Sequence, residues 1–150
     1  MKSHYYIKAC TGQKWKRMAK TVPFVCLLVL GHGSIGSALA QTTGPTVSKG
    51  TSSRVLGVID LKDEIDGLSG RQLRSRYVTI APGGQVATHS HAGRPTLEYV
   101  LQGQVIEIRN GVEVPHGPGE MVVAPHDITH GWENRGTETV VLIPVDIFKE

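Results

Sequence analysis

From residue 54 onward, no stretch of the chain keeps a 3.6-residue apolar period between helix caps. Turn residues instead interrupt it about every eight to twelve positions. This punctuation limits the fold more than any other feature. Residues 54–61, RVLGVIDL, read as a first strand, and residues 62–70, KDEIDGLSG, as a charged, glycine-broken loop with room for one helical turn. Residues 71–81 then alternate, with Arg74, Arg76, Val78 and Ile80 on one face and Leu73, Ser75, Tyr77 and Thr79 on the other. Pro82-Gly83-Gly84 is the expected stop. Residues 96–102 and 104–110 form a hairpin about Gly103, and Asn110-Gly111 turns the chain into 112–114. Short runs at 121–124, 129–134 and 138–148 complete roughly seven to nine strands, which predicts an all-β sandwich or barrel. Closure into a barrel would also hide the open edges of such strands.

The first forty residues follow a different logic. They hold six Lys/Arg and no acid, then the apolar run VPFVCLLVLG at residues 22–31, then Ala38-Leu39-Ala40 ahead of Gln41. A basic head, a short apolar run and a small-x-small end make a secretory signal peptide over residues 1–40, with Met18 a possible true start. The run is well short of the ~20 residues of a membrane-spanning helix. Residues 41–53, QTTGPTVSKGTSS, read as a flexible linker, and 54–150 as the single folded domain. Cleavage after Ala40 changes the charge. All 13 acids remain, against 10 Lys/Arg (16 minus 6), so the mature chain carries about −3 where the full chain has +3. The basic character therefore belongs to the leader, and nothing in the domain points to nucleic acid. Cys10 and Cys26 also lie in the leader, so a mature domain in a periplasmic or secreted setting holds together by its core, without disulfides.

The chemistry is concentrated in two stretches. In GGQVATHSHAGRPTLEYVLQG, residues 83–103, His89 and His91 stand two apart, so on an extended strand both imidazoles share a face, and Glu98 follows. In GEMVVAPHDITHGWEN, residues 119–134, His130 adds a further imidazole. Neutral imidazoles with one carboxylate suit a divalent transition metal such as Fe, Mn, Zn or Ni, and four ligands leave positions open for a substrate. The bland alternative is a solvated, His-rich loop. Arg94 could grip a carboxylate or phosphate at the mouth of such a site, or simply be a solvated loop residue. Trp132 shares the phase of His130 and could wall the pocket. Gln85 and Tyr77 are candidate hydrogen-bond supports for the ligands, whereas His116 and His126, in proline loops, read as surface residues.

These spacings resemble the two signatures of the cupin superfamily. Gly83, five residues, His89-Ser90-His91 and the closing Gly103 match the first; Gly119, Pro125, His130 and Asn134 match the second. The resemblance implies a double-stranded β-helix, or jelly-roll barrel, in which His89, His91 and His130 hold one metal inside. Two positions depart from it. Asp127 stands where the second signature has glycine, a mild change because Asp tolerates turn conformations. Thr96 stands where the first has its glutamate, and Glu98 lies two residues on, on the same face but one pleat (~6.6 Å) further. Either the six-residue spacer AGRPTL shifts the register so that Glu98 ligates, or the site is three histidines and water.

Two function classes follow from the resemblance. One is a metal-dependent oxygenase, isomerase or lyase acting on a small anionic molecule, with Glu98 as ligand or base and Arg94 as anchor. The other is a non-catalytic module that binds or senses a metal or small ligand. Cupins do both kinds of work, so the fold does not choose between them. The apolar face Leu97, Tyr99, Leu101 needs covering, which predicts a homodimer.

Overall fold

The computed structural model describes residues 43–149; the leader assigned to residues 1–40 lies outside the described residues. Among the described residues there is no helix, and eight strands form one curled antiparallel sheet. They are β1 (Lys49–Asp60), β2 (Arg71–Ser90), β3 (Thr96–Gln102), β4 (Val105–Arg109), β5 (Val112–His116), β6 (Met121–Ala124), β7 (Thr129–Glu133) and β8 (Val140–Lys149). Their order is β5-β4-β7-β2-β8-β3-β6, with β1 added beside β2. The all-β expectation holds, and with it the hairpin at Asn110-Gly111, where β4 pairs β5. The hairpin expected about Gly103 does not form: the chain turns there, but β3 pairs β6 and β8 while β4 pairs β5 and β7. Both turns use left-handed backbone, with φ of 74° at Gly103, 48° at Asn110 and 82° at Gly111.

The expected break at Pro82-Gly83-Gly84 does not occur. β2 is a single strand of 20 residues that runs straight through it. Up to Ile80 it pairs with β8, and from Gln85 it pairs with β7. The glycines therefore form an elbow at which one strand exchanges β8 for β7 as its ladder partner within the sheet. Gly83 takes a φ of 70°, which disfavours any residue with a side chain. A Cβ on Gly84 would meet the Ala81 carbonyl oxygen at 2.7 Å and that of Gly50 at 2.9 Å. The elbow is tied to the end of β7: Gly83 N–H donates to the Asn134 carbonyl (2.9 Å) and Asn134 N–H to that of Gly84 (3.0 Å). The side-chain amide of Asn134 donates to the carbonyls of Ile80 and Glu138, both at 2.8 Å, which gives this motif residue a structural task.

A second correction concerns residues 43–53, expected as part of a loose spacer. β1 begins at Lys49, not at residue 54, and Pro45 is buried. Thr88 N–H donates to the Pro45 carbonyl at 2.7 Å, and Ser48 Oγ accepts from Ala87 N–H at 2.9 Å. Small polar residues read as linker because they supply no apolar period. Here backbone pairing to β2 holds them, and that pairing leaves no mark on composition.

Inward positions of both halves of the sheet make the core: Val78, Ile80, Val100, Val105, Val122, Trp132, Val140 and Leu142. On the outer side, Leu97 pairs across the ladder with Val123 and Val145, and all three remain well exposed.

Candidate metal centre

Inside the curl, β2, β7 and β3 bring four chemistry-bearing side chains together. His89, near the end of β2, is the ladder partner of His130 on β7. His91 lies one residue beyond β2, where its N–H bonds the Ile128 carbonyl at 2.9 Å. On β3 the period of two turns Thr96, Glu98 and Val100 inward, and all three are buried. The ligand atoms of His89, His91, Glu98 and His130 all lie within 4.8 Å of one another, a group that could hold a metal ion. His91 and His130 are fully buried and Glu98 nearly so, while His89 is half-buried at the cavity side.

Hydrogen-bond partners fix how the rings face. His89 Nδ1 meets the Ala87 carbonyl at 2.9 Å, and His91 Nδ1 meets the Arg94 carbonyl at 3.0 Å. His130 Nδ1 meets Glu107 Oε1 at 2.6 Å. Each of these partners can only accept, so each Nδ1 carries a hydrogen and each Nε2 lone pair is free. The freed nitrogens converge. His91 Nε2 and His130 Nε2 are 2.8 Å apart, and Glu98 Oε1 lies 3.8 Å and 3.5 Å from them. Ligands about 2.1 Å from a shared ion stand roughly 3–4 Å apart, so small shifts would seat one. Two facing lone pairs repel, and only a proton or a cation between them relieves the contact. The donor set and its outer hydrogen bonds therefore fit a metal ion.

Charge follows the same geometry. Burial, with the nearby His130, pushes the pKa of His91 down to about 4, outweighing its bond to the Arg94 carbonyl. Burial also lowers His89. At His130 burial opposes the charge, but hydrogen bonds that the ring donates to the carboxylates of Glu107 and Glu98 outweigh it and hold the pKa above the ordinary imidazole value. A metal ion between the two Nε2 atoms would relieve the contact of their lone pairs.

The two-residue offset of Glu98 is resolved by Thr96. Thr96 takes the pleat where the cupin signature has its glutamate, and it is buried there. Its hydroxyl donates to the Arg94 carbonyl at 3.0 Å and accepts from His91 Nδ1 at 2.9 Å. Glu98 is the carboxylate that reaches the histidines. Trp132 is buried and lines the cavity, its ring 5.1 Å from that of His130. Arg94 also lines the cavity.

Three other expectations are corrected. Gln85 donates to the Val47 carbonyl at 2.7 Å, and Tyr77 lies under the guanidinium of Arg54, so neither supports a ligand. His116 is not a free surface residue: its Nε2 meets Glu107 Oε2 at 2.9 Å and its side chain is only 15% exposed. The support that sequence reasoning missed is Glu107 itself, fully buried on β4. Burial would raise its pKa, but bonds from His130, Arg109 and His116 outweigh that and hold it at about 2. The available signal was a carboxylate at an inward position of an apolar strand, VIEIR. His126, as expected, is exposed.

A curled jelly roll with a His/Glu cluster in its interior defines the class of protein. Residues 76–148 match the cupin domain family, and the neighbours of the chain among solved structures include cupin-superfamily proteins. The cupin-superfamily sugar phosphate isomerase from Silicibacter pomeroyi is 22% identical, with a TM-score of 0.53 over 67% of this chain and 60% of that one. The Cnp3 cupin domain from Schizosaccharomyces pombe is 13% identical, with a TM-score of 0.54 over 67% and 66%. A conserved double-stranded β-helix protein from Klebsiella pneumoniae is 18% identical, with a TM-score of 0.54 over 65% and 76%. At these identities the likeness is one of fold. The first two relatives are matched over less than two thirds of their own length. No curated protein sequence is a significant match.

Proposed function

We propose that this chain is an exported cupin that binds one divalent transition metal through His89, His91, Glu98 and His130 and acts on a small anionic molecule as an oxygenase, isomerase or lyase. One observation carries the reading: His89 and Glu98 belong to the four-ligand group and also line an open cavity of about 370 Å³. That volume falls at the lower end of small-molecule sites, so the site suits a metabolite-sized ligand and not a polymer. Sugar phosphates, the class in the name of the Silicibacter relative, are anions of this size.

The metal, when bound, would supply a Lewis acid able to polarise a substrate oxygen. The protein's own groups have separate tasks. Glu107, Thr96 and the Ala87 and Arg94 carbonyls hold the rings in the ligating tautomer. Arg94 anchors the anion. Glu98 either ligates or takes a proton from the substrate, and Trp132 with Val86 and Leu142 excludes water from the cavity wall.

Export rests on the leader pattern of residues 1–40 and places the mature domain in the periplasm or outside the cell. Pairing with a second copy rests on the exposed outer row Leu97, Val123, Val145. The test is metal analysis of the purified chain beside His89→Ala and His130→Ala, together with oxygen consumption and turnover of small anions. Wild type should retain about one metal per chain and both variants should lose it. A wild type that takes up none of the supplied Fe, Mn, Zn or Ni would refute the metal reading.

A further inference from the structure

Asp146, on β8, is buried to 1% exposure and faces three guanidiniums. Arg74 uses it fully, with Nε on Oδ1 at 3.1 Å and Nη2 on Oδ2 at 2.9 Å, and its guanidinium also stacks 3.8 Å over the ring of Phe148. Arg76 and Arg94 are held much more loosely. Arg76 Nη2 reaches the same Oδ2 at 3.3 Å, and Arg94 Nη1 lies 3.5 Å from it. A carboxylate oxygen offers about two lone pairs, so three donors on one oxygen exceed what it can accept. The shortage shows at Arg76, whose Nε–H is buried and has no acceptor among the described residues. Arg74 is thus committed to the fold, while Arg76 and Arg94 carry unspent positive charge and unspent donors. Both line the cavity that His89 and Glu98 also line.

We propose that Arg76 and Arg94 form an oxyanion seat that takes the carboxylate or phosphate group of a small ligand, with the remainder of that ligand facing His89 and Glu98. Planar guanidiniums pair with both groups through parallel N–H bonds, and Asp146 beneath them fixes their positions in advance. The seat deepens the function proposed above and rests on it only for what lies at the far end of the ligand. Arg76 gave no sign of this in the sequence, because an inward arginine on an alternating strand looks the same whether it serves the core or a ligand.

The test is titration calorimetry on the full chain, stripped of metal and dialysed free of chelator, at low ionic strength. The probes are succinate and inorganic phosphate, with glycerol as the neutral control. At least one anion should bind one to one, more weakly as salt rises, and glycerol should not bind. The stronger anion identifies the group. Arg94→Gln and Arg76→Gln should each weaken binding by about tenfold or more, the loss expected for a charge-assisted hydrogen bond. Zinc uptake should survive in both variants, since Arg94→Gln keeps the backbone carbonyl that orients His91. If Arg76→Gln fails to fold, Arg94→Gln decides alone, because it touches Asp146 only at 3.5 Å. Anion binding without zinc uptake in the wild type would leave the seat standing and remove the metal reading. Failure of both anions to bind, or unchanged affinity in Arg94→Gln, would overturn the seat.

Discussion

Glu107→Gln removes one proton acceptor from the molecule while leaving the volume nearly unchanged, and its effect can be worked from the bonds described. Glu107 Oε1 accepts from His130 Nδ1 at 2.6 Å and from Arg109 Nε at 2.8 Å, and Oε2 accepts from His116 at 2.9 Å. A glutamine keeps only one acceptor oxygen. Arg109 must donate, so that oxygen stays at the Oε1 position, where it still accepts from His130 Nδ1, and the NH2 takes the Oε2 position toward His116. His130 keeps its tautomer but loses the carboxylate charge behind its ring, so the Nε2 lone pair proposed to bind metal becomes less basic. Loss of such an outer-shell partner typically costs about 10–100-fold in metal affinity, or roughly 1.4–2.8 kcal/mol. Thermal stability should fall as well, by about 1–3 kcal/mol, as charge-assisted bonds become neutral ones. The assay is zinc competition against a chromophoric chelator, with thermal unfolding measured on the same samples. Weaker zinc binding in a folded Glu107→Gln protein is expected. Unchanged zinc affinity, despite the stability loss, would show that the carboxylate charge behind the 2.6 Å bond does not prepare His130 for a metal and would refute the reasoning.

Three further outcomes follow from the same structure. Glu107 has its pKa depressed from 4.5 to about 2, so its stabilisation is present above pH 4.5 and lost as pH falls toward 2; urea midpoints of the metal-free chain should drop across that window, and less in Glu107→Gln. Gly84→Ala would press a methyl group on two backbone oxygens at 2.7 Å and 2.9 Å, and should cost about 2 kcal/mol or more by chemical denaturation, whereas Gly57→Ala, with open space around it, should cost less than half of that. Leu97→Asp, on the exposed outer row, should convert a dimer to a monomer in analytical sedimentation; a wild type already monomeric at micromolar concentration would count against pairing through this face.

Much of the site could be read from residue spacing. A period of two aligned His89 with His91, and it also turned Glu98 inward although it stands one pleat beyond the cupin position. What it could not show was Thr96 in the vacated place, because a buried threonine and an exposed one are the same letter. Glu107 was hidden for a related reason: its value comes from His130, His116 and Arg109, which reach it from β7, β5 and its own strand. The elbow in β2 was read as a terminus because Pro-Gly-Gly ends most strands. It continues here because β7 lies waiting to pair on the far side, and that is tertiary information. The same holds for residues 43–53, whose order comes from neighbours and not from their own pattern.

β2 has a mechanical consequence. One unbroken backbone carries Arg74 and Arg76 below the elbow and His89 above it. The gap between Arg76 and His89 is therefore set by the bend at Gly83 and Gly84, whereas Arg94 is placed by the loop between β2 and β3. The elbow acts as a caliper. Changes there would alter the length of molecule that can reach from Arg76 to His89 while leaving the charge each end prefers untouched.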